Sequence, residues 1–348
     1  MIMKKDIFGL SLTELQALCA NEGFPKFSAK QLCDWMYAKR VSDFDAMTNL
    51  SLKIRSRLKE FALVGHCEPV DCQTSVDGTK KYLFPVVING VQRYVESVFI
   101  PADDRATLCV SCQVGCKMGC RFCATGQQGF HGSLSASQIL NQIFSVPDSE
   151  MLSNVVFMGM GEPMDNYEAI KSTLDVLTSE WGLAWSPHRL TVSTVGITPV
   201  LRRLLDETQC HVAVSLHNAF PKERLAIMPM EKAFPIVDTI TLLKRYDWRG
   251  QRRISFEYTM FKGLNDDMAH AAELVKLLKG LRCRVNLIRF HSSPGVPYKS
   301  SDERTMTTFR DYLDSHGVTC TIRASRGEDI MAACGLLAGK GNGMSDSK

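Results

Sequence analysis

The sequence predicts an α/β fold: a partial (β/α)6 barrel that follows a small helical domain and a β-hairpin. From residue 106 to about residue 325, short runs rich in β-branched residues alternate with amphipathic helical stretches, a pattern typical of parallel sheets. The first 65 or so residues show only the apolar spacing of helices. Six strand–helix units fall short of the eight in a complete barrel, so we expect partial closure.

Three helices are predicted in an N-terminal domain that covers residues 1–68. Ser11 and Glu14 form the capping-box pattern that begins the first helix. A second helix begins near Ser28, and a third covers residues 52–63, where basic residues alternate with apolar ones. The third helix therefore presents one basic face.

A β-hairpin linker is predicted for residues 69–101. Asp77-Gly78 marks a turn before its first strand, and Asn89-Gly90 marks a tight turn before its second. The predicted strands are Lys81–Val87 and Arg93–Ile100.

The barrel is predicted to cover residues 102–335 and to end in a loop that carries a cysteine, with a polar tail at residues 336–348. Catalytic groups of such barrels lie on the loops after the C-terminal ends of strands. The motifs described below fall on loops of this kind, which supports the topology. The predicted strands are Ala106–Ser111, Val155–Met160, Leu190–Val195, His211–His217, Ile254–Phe261, Val285–Phe290 and Val318–Arg323, and the helices between them include Ser135–Phe144, Tyr167–Leu177 and Asp267–Leu278.

The composition excludes several classes of protein. The chain has 348 residues, of which 45% are hydrophobic and 22% charged, which is ordinary for a globular protein and atypical of a disordered one. No apolar run approaches a membrane span, and the N-terminus lacks the apolar core of a secretory signal. We therefore expect a cytoplasmic protein without a membrane partner. The net charge of +4 is compatible with a nucleic-acid substrate but does not indicate one.

The cysteines are numerous and unevenly distributed. There are thirteen, an odd number in a chain without an export signal, which disfavours a disulfide scaffold. Five of them lie between Cys109 and Cys123, which indicates a metal or redox site. Seven scattered ones are predicted to be inert and buried: Cys19, Cys33, Cys67, Cys72, Cys210, Cys283 and Cys320.

Cys116, Cys120 and Cys123 form the sharpest motif. Separated by three and then two residues, they let one loop present three thiolates to a [4Fe–4S] cluster and leave the fourth iron open for S-adenosylmethionine (SAM). A structural zinc site is the alternative, since Cys109 and Cys112 could add thiols, but the second cysteine pair that such sites prefer is absent. The motif favours a radical-SAM barrel.

Three further strand ends carry residues suited to SAM. Glycine at such a place allows a ligand to approach the backbone closely, and hydroxyls or an imidazole can bind its ribose or carboxylate. Taken singly, each residue is as compatible with an ordinary turn as with a ligand contact. The candidates are Gly161, Glu162, Ser193, Ser215, Leu216 and His217.

Cys334 stands alone between Ala333 and Gly335, after the last predicted strand. It is compatible with a buried spacer or with a reactive thiol on a loop over the barrel mouth. The composition does not decide between these two interpretations.

Four stretches together resemble the RlmN family, radical SAM methyltransferases that act on C2 of adenine in 23S rRNA and tRNA. The likeness covers nearly the whole chain, including its helical N-terminal region. The resemblance implies that Cys116, Cys120 and Cys123 hold the cluster and that the strand-end residues named above contact SAM. The four stretches are 105–116, 120–130, 157–163 and 327–335.

The resemblance also implies a mechanism that uses two SAM molecules in each turnover, because C2 of adenine is too electron-poor to attack a methyl group. Cys334 takes a methyl group from the first SAM, and a radical made from the second removes a hydrogen from it. The resulting carbon radical adds to C2, and Glu96 accepts the C2 proton. Cys109 then attacks the sulfur of Cys334, which releases the product and leaves a disulfide for re-reduction.

Two positions depart from the family. His291 stands where an asparagine that contacts SAM is common, and it could still donate a hydrogen bond. Cys112 replaces the usual serine and is a second candidate for thiol chemistry. Related Cfr-like C8 methyltransferases share the machinery and are the nearest alternative, although the stretches 161–163 and 127–130 resemble the C2 enzymes more. A non-catalytic, zinc-bound RNA-binding protein is a remote alternative.

The expected partners are 23S rRNA at the peptidyl-transferase centre and tRNA at the purine 3′ of the anticodon, with an electron donor such as flavodoxin and its reductase. We expect a monomer. The target adenine must be unstacked to reach the barrel mouth. Basic residues of the helical domain are candidate phosphate contacts, although a solvated helix face is the alternative for each. They are Lys26, Lys30, Lys39, Arg40, Lys53, Arg55, Arg57 and Lys59.

Overall fold

A computed structural model describes residues 4–292 and 295–339. It confirms the predicted α/β class, with helices packed against a ten-stranded, mostly parallel sheet. Most of the predicted polar tail, residues 340–348, lies outside the described part of the chain. Leu336 and Leu337, at the start of that tail, are buried. None of the helices in the described ranges is long and apolar enough to cross a membrane.

The N-terminal domain is helical, as predicted. The Ser11 hydroxyl accepts from the backbone N–H of Glu14 at 3.2 Å, and the Glu14 carboxylate accepts from the N–H of Ser11 at 2.8 Å, which completes the capping box. The third helix ends before residue 62 because the next two residues pair with the first strand. The elements are β1 (Lys5–Asp6), α1 (Leu12–Asn21), α2 (Ser28–Cys33), a π-helical turn (Asp34–Ala38), a 3-10 turn (Phe44–Ala46), α3 (Leu52–Phe61) and β2 (Ala62–Leu63).

An antiparallel meander follows and runs directly into the barrel sheet. Asn89 and Gly90 both have positive φ (50° and 78°), as a two-residue hairpin turn requires. The second hairpin strand pairs along its far end with the first barrel strand, so the hairpin extends the barrel sheet. The strands are β3 (Asp71–Thr74), β4 (Lys80–Ile88), β5 (Val91–Ala102) and β6 (Arg105–Cys109).

Six strand–helix units and a final strand form the barrel. Seven strands lie parallel in the order β14-β13-β12-β11-β10-β9-β6, and β14 and β3 are the two edges of the sheet, so the described barrel is partial, as expected. The remaining parallel strands are β9 (Asn154–Phe157), β10 (Leu190–Thr194), β11 (His211–Ser215), β12 (Ile254–Met260), β13 (Arg284–Arg289) and β14 (Thr319–Ile322). The helices are α5 (Ala136–Phe144), α6 (Tyr167–Thr178), α7 (Thr198–Glu207), α8 (Pro221–Ile227), α9 (Ile236–Leu243), α10 (Met268–Leu278) and α11 (Glu303–Ser315), with 3-10 turns at Ser149–Met151, Pro163–Asn166, Pro187–Arg189 and Pro229–Lys232.

A small second sheet frames the cysteine motif. It consists of β7 (Gln113–Gly115) and β8 (Phe130–Ser133), with the short helix α4 (Ala124–Gln127) between them. The motif therefore lies on the loop after the first barrel strand, at the C-terminal end where catalytic groups of barrels collect.

Aromatic side chains pack the helical domain against the barrel. Phe8 packs edge-on against Phe144 of α5 with ring centroids 5.3 Å apart, and Tyr37 lies 5.9 Å from Trp181. The Tyr37 hydroxyl also accepts from the N–H of Gly9 at 3.1 Å. The two regions thus share buried apolar surface.

The scattered cysteines only partly match their prediction. Cys19, Cys33, Cys210 and Cys320 are buried and Cys283 is half-buried. Cys67 and Cys72 are exposed, so the prediction was wrong for these two, which lie on and just before β3 at the edge of the sheet.

Candidate active site

The loop that carries the three motif cysteines is shaped by glycine. Gly115 has φ +74°, and a Cβ at this position would lie 1.8 Å from the carbonyl oxygen of Gly129. That same oxygen accepts from the N–H of Cys116 at 3.0 Å. The backbone carbonyl of Cys120 accepts from the N–H of Cys123 at 3.2 Å, and Cys123 is the N-cap residue of α4. One tight loop thus presents all three cysteines.

The three thiols lie close enough to interact electrostatically. Burial raises the pKa of Cys116 to about 12, and the neighbouring Cys123 adds to the increase. Burial, followed by Cys123 and Cys116, also raises the pKa of Cys120. In the described ranges, no three His, Cys, Asp or Glu side chains could hold a single metal ion. Three spread thiols on one loop suit the corners of an iron–sulfur cluster better than a zinc ion.

Gly161 and Glu162 connect the ends of β9 and β10. Gly161 has φ +104°, and a Cβ there would lie 2.6 Å from that of Gln113. The buried Glu162 carboxylate accepts from the N–H of Met164 at 3.1 Å and of Val195 at 2.9 Å. Burial nevertheless raises its pKa to about 7. The side chain therefore holds two strand ends in position.

His217 is held as a neutral imidazole at the end of β11. Its Nδ1 accepts from the N–H of Thr259 at 3.0 Å, so the ring proton lies on Nε2. Burial, helped by the charge of Arg224, lowers the pKa to about 3. The ring packs edge-on against Phe122 of the cysteine loop, with centroids 4.9 Å apart.

Ser193 and Ser215, the other strand-end candidates, are half-buried at the ends of the adjacent strands β10 and β11. Leu216, which follows Ser215, is fully buried. Six of the predicted SAM contacts, all but His291, therefore lie at the C-terminal ends of three neighbouring strands, β9, β10 and β11.

The segment that carries Cys334 lies against the cysteine loop. The N–H of Ala124 donates to the carbonyl of Gly335 at 2.8 Å, and the Thr125 hydroxyl donates to the carbonyl of Leu337 at 2.6 Å. Cys334 itself is exposed, yet burial raises the pKa of its thiol.

Cys109, at the end of β6, lies close to Cys334 although the two are distant in sequence. Burial, and then the charge of Cys334, raises the pKa of Cys109 to about 12. The guanidinium of Arg323 lowers the pKa of both thiols, and it lies 3.4 Å from the Glu257 carboxylate. All thirteen cysteines are free thiols, so the Cys109–Cys334 disulfide that the resemblance implies is not present in the structure.

Glu96 is buried in β5 and faces the same C-terminal segment. Its Oε2 accepts from the backbone N–H groups of Ala338 at 2.8 Å and of Gly339 at 3.2 Å. Its Oε1 lies 3.4 Å from the ammonium of Lys81. The predicted proton acceptor is thus covered by residues that follow Cys334.

Comparison with known proteins agrees with this geometry. Residues 110–275 match the model of the radical SAM superfamily, and residues 5–64 match that of the ribosomal RNA large subunit methyltransferase N-terminal domain. A probable dual-specificity RNA methyltransferase RlmN from Bacteroides thetaiotaomicron is 56% identical over 97% of this chain and 97% of its own. A dual-specificity RNA methyltransferase RlmN from Syntrophus aciditrophicus is 40% identical over 96% and 97%.

The chain belongs to the RlmN family. It is therefore a radical SAM RNA methyltransferase, and the family implies a [4Fe–4S] cluster and SAM. The fold agrees, since the crystal structure of a radical SAM methyltransferase from Sphaerobacter thermophilus matches with a TM-score of 0.88 and 38% identity, over 96% of this chain and 99% of that one.

The two residues that depart from the RlmN family pattern, His291 and Cys112, have different surroundings. His291 contacts the C-terminal segment, with Nε2 3.0 Å from the Ser325 hydroxyl and Nδ1 3.7 Å from the Glu328 carboxylate. Its contact with SAM stays a prediction. Cys112 is buried beside Gly161, and burial, followed by the charge of Glu162, raises its thiol pKa well above the usual value.

Three charged residues of the RlmN-type site were not predicted from the sequence. Arg323 and Glu257 are paired beside Cys109 and Cys334, and Arg224 is fully buried next to the strand ends that are predicted to contact SAM. The sequence offered one signal for each of the first two: Glu257 is a charged residue inside the predicted strand 254–261, and Arg323 ends the last predicted strand. Arg224 lies in α8, whose sequence PKERLAI contains three consecutive charged residues and is typical of a surface helix, so it gave no signal of burial.

Five of the eight predicted phosphate contacts are engaged within the helical domain or with the barrel. Lys39 pairs with Asp34 at 2.7 Å, and Arg40 donates to the Ser149 hydroxyl at 2.7 Å. Arg55 and Lys59 both contact Asp45, and Arg57 pairs with Glu22 and Glu60. The other three predicted contacts show no ion pair among the described residues: Lys26, Lys30 and Lys53.

Proposed function

We propose that this RlmN-family enzyme methylates C2 of adenine in 23S rRNA at the peptidyl-transferase centre, and in tRNA at the purine 3′ of the anticodon. The observation that carries the proposal is that Cys334 and Cys109 lie within electrostatic range of each other and of Arg323, with the Cys334 segment bonded to the cysteine loop. A methyl carrier and a second thiol that frees the product are needed when the substrate carbon is a poor nucleophile.

Cys116, Cys120 and Cys123 hold the cluster in this proposal. A cluster bound there would supply the electron that splits SAM and would accept the electron that the RNA adduct gives up. The ends of β9, β10 and β11 bind SAM through Gly161, Glu162, Ser193, Ser215, Leu216 and His217. His217 supports this assignment because its Nδ1 is occupied, which leaves Nε2–H free to donate to a ligand.

Cys334 carries the methyl group. Its thiolate displaces the methyl group of a first SAM, which leaves as S-adenosylhomocysteine. Arg323 favours this step because its charge stabilises the thiolate. A radical from a second SAM then removes one hydrogen from the S-methyl group, and the carbon radical adds to C2 of adenine.

Glu96 and Cys109 complete the reaction. Glu96 accepts the C2 proton as the adduct loses one electron, and the Cys109 thiolate attacks the sulfur of Cys334. The carbon–sulfur bond breaks, the product carbon takes a proton, and a reductant reopens the bond between the two sulfurs. Because Ala338 and Gly339 occupy the Glu96 carboxylate in the structure, this segment must withdraw before adenine can approach.

RNA binding is assigned to the helical domain and the barrel mouth. Exposed Lys26 and Lys30 flank Phe27, whose exposure of 65% suits stacking on an unpaired base. The match of this region to a ribosomal RNA methyltransferase domain supports the assignment. The proposal includes a monomeric cytoplasmic enzyme and an electron donor such as flavodoxin with its reductase.

Methyl-deuterated SAM tests the proposal. The reconstituted enzyme should form 2-methyladenine with one methyl deuterium replaced by hydrogen, and 5′-deoxyadenosine that carries the missing deuterium. Mass spectrometry of digested rRNA and tRNA locates the methyl group. A product methylated only at C8, or one that keeps all three deuteriums, would contradict the proposal.

A further inference from the structure

Arg224 is the largest fully buried side chain, and the steps proposed above do not use it. It lies on α8, directly after the strand end that carries His217, and pairs with the buried carboxylate of Glu231. A buried ion pair is often no more stabilising than apolar residues of the same size, because desolvation offsets the attraction. Stability alone therefore does not explain this residue.

The rest of the guanidinium holds the proposed SAM strand ends. Its Nη2 donates to the carbonyl of Val195 at 3.0 Å and to that of Ser215 at 2.8 Å. Its Nε donates to the carbonyl of Leu216 at 2.9 Å. A planar guanidinium can reach three carbonyls and a carboxylate at once, whereas a lysine ammonium cannot reproduce this arrangement.

The same network extends to β9. The N–H of Val195 donates to Glu162 at 2.9 Å while its carbonyl accepts from Arg224 at 3.0 Å. The backbone of one residue, Val195, is therefore held between a buried carboxylate and a buried guanidinium. The ends of β9, β10 and β11 are coupled through it.

The network also reaches the cysteine loop. The carbonyl of Ile227, at the end of α8, accepts from the N–H of Arg121 at 2.9 Å, and Arg121 follows Cys120 directly. The helix that carries Arg224 is therefore hydrogen-bonded to the backbone of the cysteine loop.

We propose that Arg224 is a positioning residue that fixes the SAM-binding strand ends against the cysteine loop. The inference rests on the SAM site assigned under the proposed function. Because this role depends on the geometry of the guanidinium, a substitution that keeps the charge and changes the geometry tests it.

Arg224→Lys keeps the charge and removes the guanidinium geometry. The matched control is Arg252→Lys, since Arg252 also donates to two backbone carbonyls, of Leu205 and Cys210 at 2.9 Å each, but before β11 at the opposite end of the barrel. In anaerobically purified holoenzyme of verified iron content, Arg224→Lys should bind SAM roughly ten-fold more weakly or worse, as expected for two misplaced hydrogen bonds. Arg252→Lys should bind SAM with the affinity of the wild type.

Glu231→Gln covers the case in which Arg224→Lys does not fold, because it changes the charge of the buried pair and keeps the guanidinium in place. The amide oxygen of glutamine can replace the carboxylate oxygen that accepts from Arg224 and from the N–H of Ile236. The SAM affinity of Glu231→Gln should therefore stay close to that of the wild type.

Equal SAM affinity of folded Arg224→Lys and wild type, or equal loss in Arg252→Lys, would overturn the positioning role. A clear loss of SAM affinity in folded Glu231→Gln would also overturn it, because that variant keeps the guanidinium in place. The SAM-binding measurement involves no RNA, so an enzyme that methylates a carbon other than C2 would refute the proposed function while leaving this test intact.

Discussion

Gly115→Ala should remove the cluster without unfolding the barrel. An alanine at φ +74° costs about 1–2 kcal/mol in the left-handed region. Its Cβ would also lie 1.8 Å from the Gly129 oxygen, so that carbonyl must move and give up its hydrogen bond to Cys116. The lost bond adds about 1 kcal/mol and the forced displacement about 1–3 kcal/mol. We expect a total loss of roughly 3–6 kcal/mol, concentrated at the cysteine loop.

Gly129→Ala is the matched control. Gly129 has the same φ of +74°, but a Cβ there meets no atom within 4 Å, so only the backbone cost of about 1–2 kcal/mol applies. Denaturant unfolding and iron analysis after anaerobic reconstitution measure the two effects. Gly129→Ala should keep its iron and Gly115→Ala should lose most of it. Equal stability loss and equal iron content in both variants would refute the explanation.

Further predictions concern protonation. Arg323→Met removes the cation that lowers the Cys334 pKa, so methylation of that thiol, followed by peptide mass spectrometry, should require a higher pH; an unchanged pH profile would contradict this. Unfolded His217 gains a proton near pH 6.5 and the folded form only near 3, so this residue makes the free energy of unfolding fall as the pH drops from 6.5, by at most about 1.4 kcal/mol per pH unit. His217→Gln can still accept from the N–H of Thr259 but does not titrate in this range. In denaturant titrations at pH 4 to 7, its free energy of unfolding should therefore fall less steeply with decreasing pH than that of the wild type. The same slope in both proteins would count against this prediction.

Local patterns in the sequence predicted local structure well. The capping box at Ser11, the two-residue turn at Asn89-Gly90 and the strand–helix alternation depend on residues near one another, and all are present in the structure. The cysteine loop was predictable for the same reason, because its spacing lies within eight residues, Cys116 to Cys123.

Long-range contacts could not be predicted in this way. Nothing near Arg224 in the sequence indicates that it binds carbonyls of two strands, and the approach of Cys109 to Cys334 was expected only through family resemblance. The pairing of the hairpin with the barrel sheet and the exposure of Cys67 likewise depend on how distant strands pack. Such contacts follow from the closed fold rather than from local propensity.

The most direct test of the proposed chemistry is trapping of the RNA adduct. Cys109→Ala should accumulate a covalent link between Cys334 and C2 of the target adenine when incubated with SAM, reductant and RNA, because no thiol remains to free it. Cys109→Ala/Cys334→Ala should form none. Mass spectrometry of the digested adduct identifies both atoms. Turnover by Cys109→Ala without an adduct, or an adduct that survives loss of Cys334, would contradict the roles given to the two cysteines.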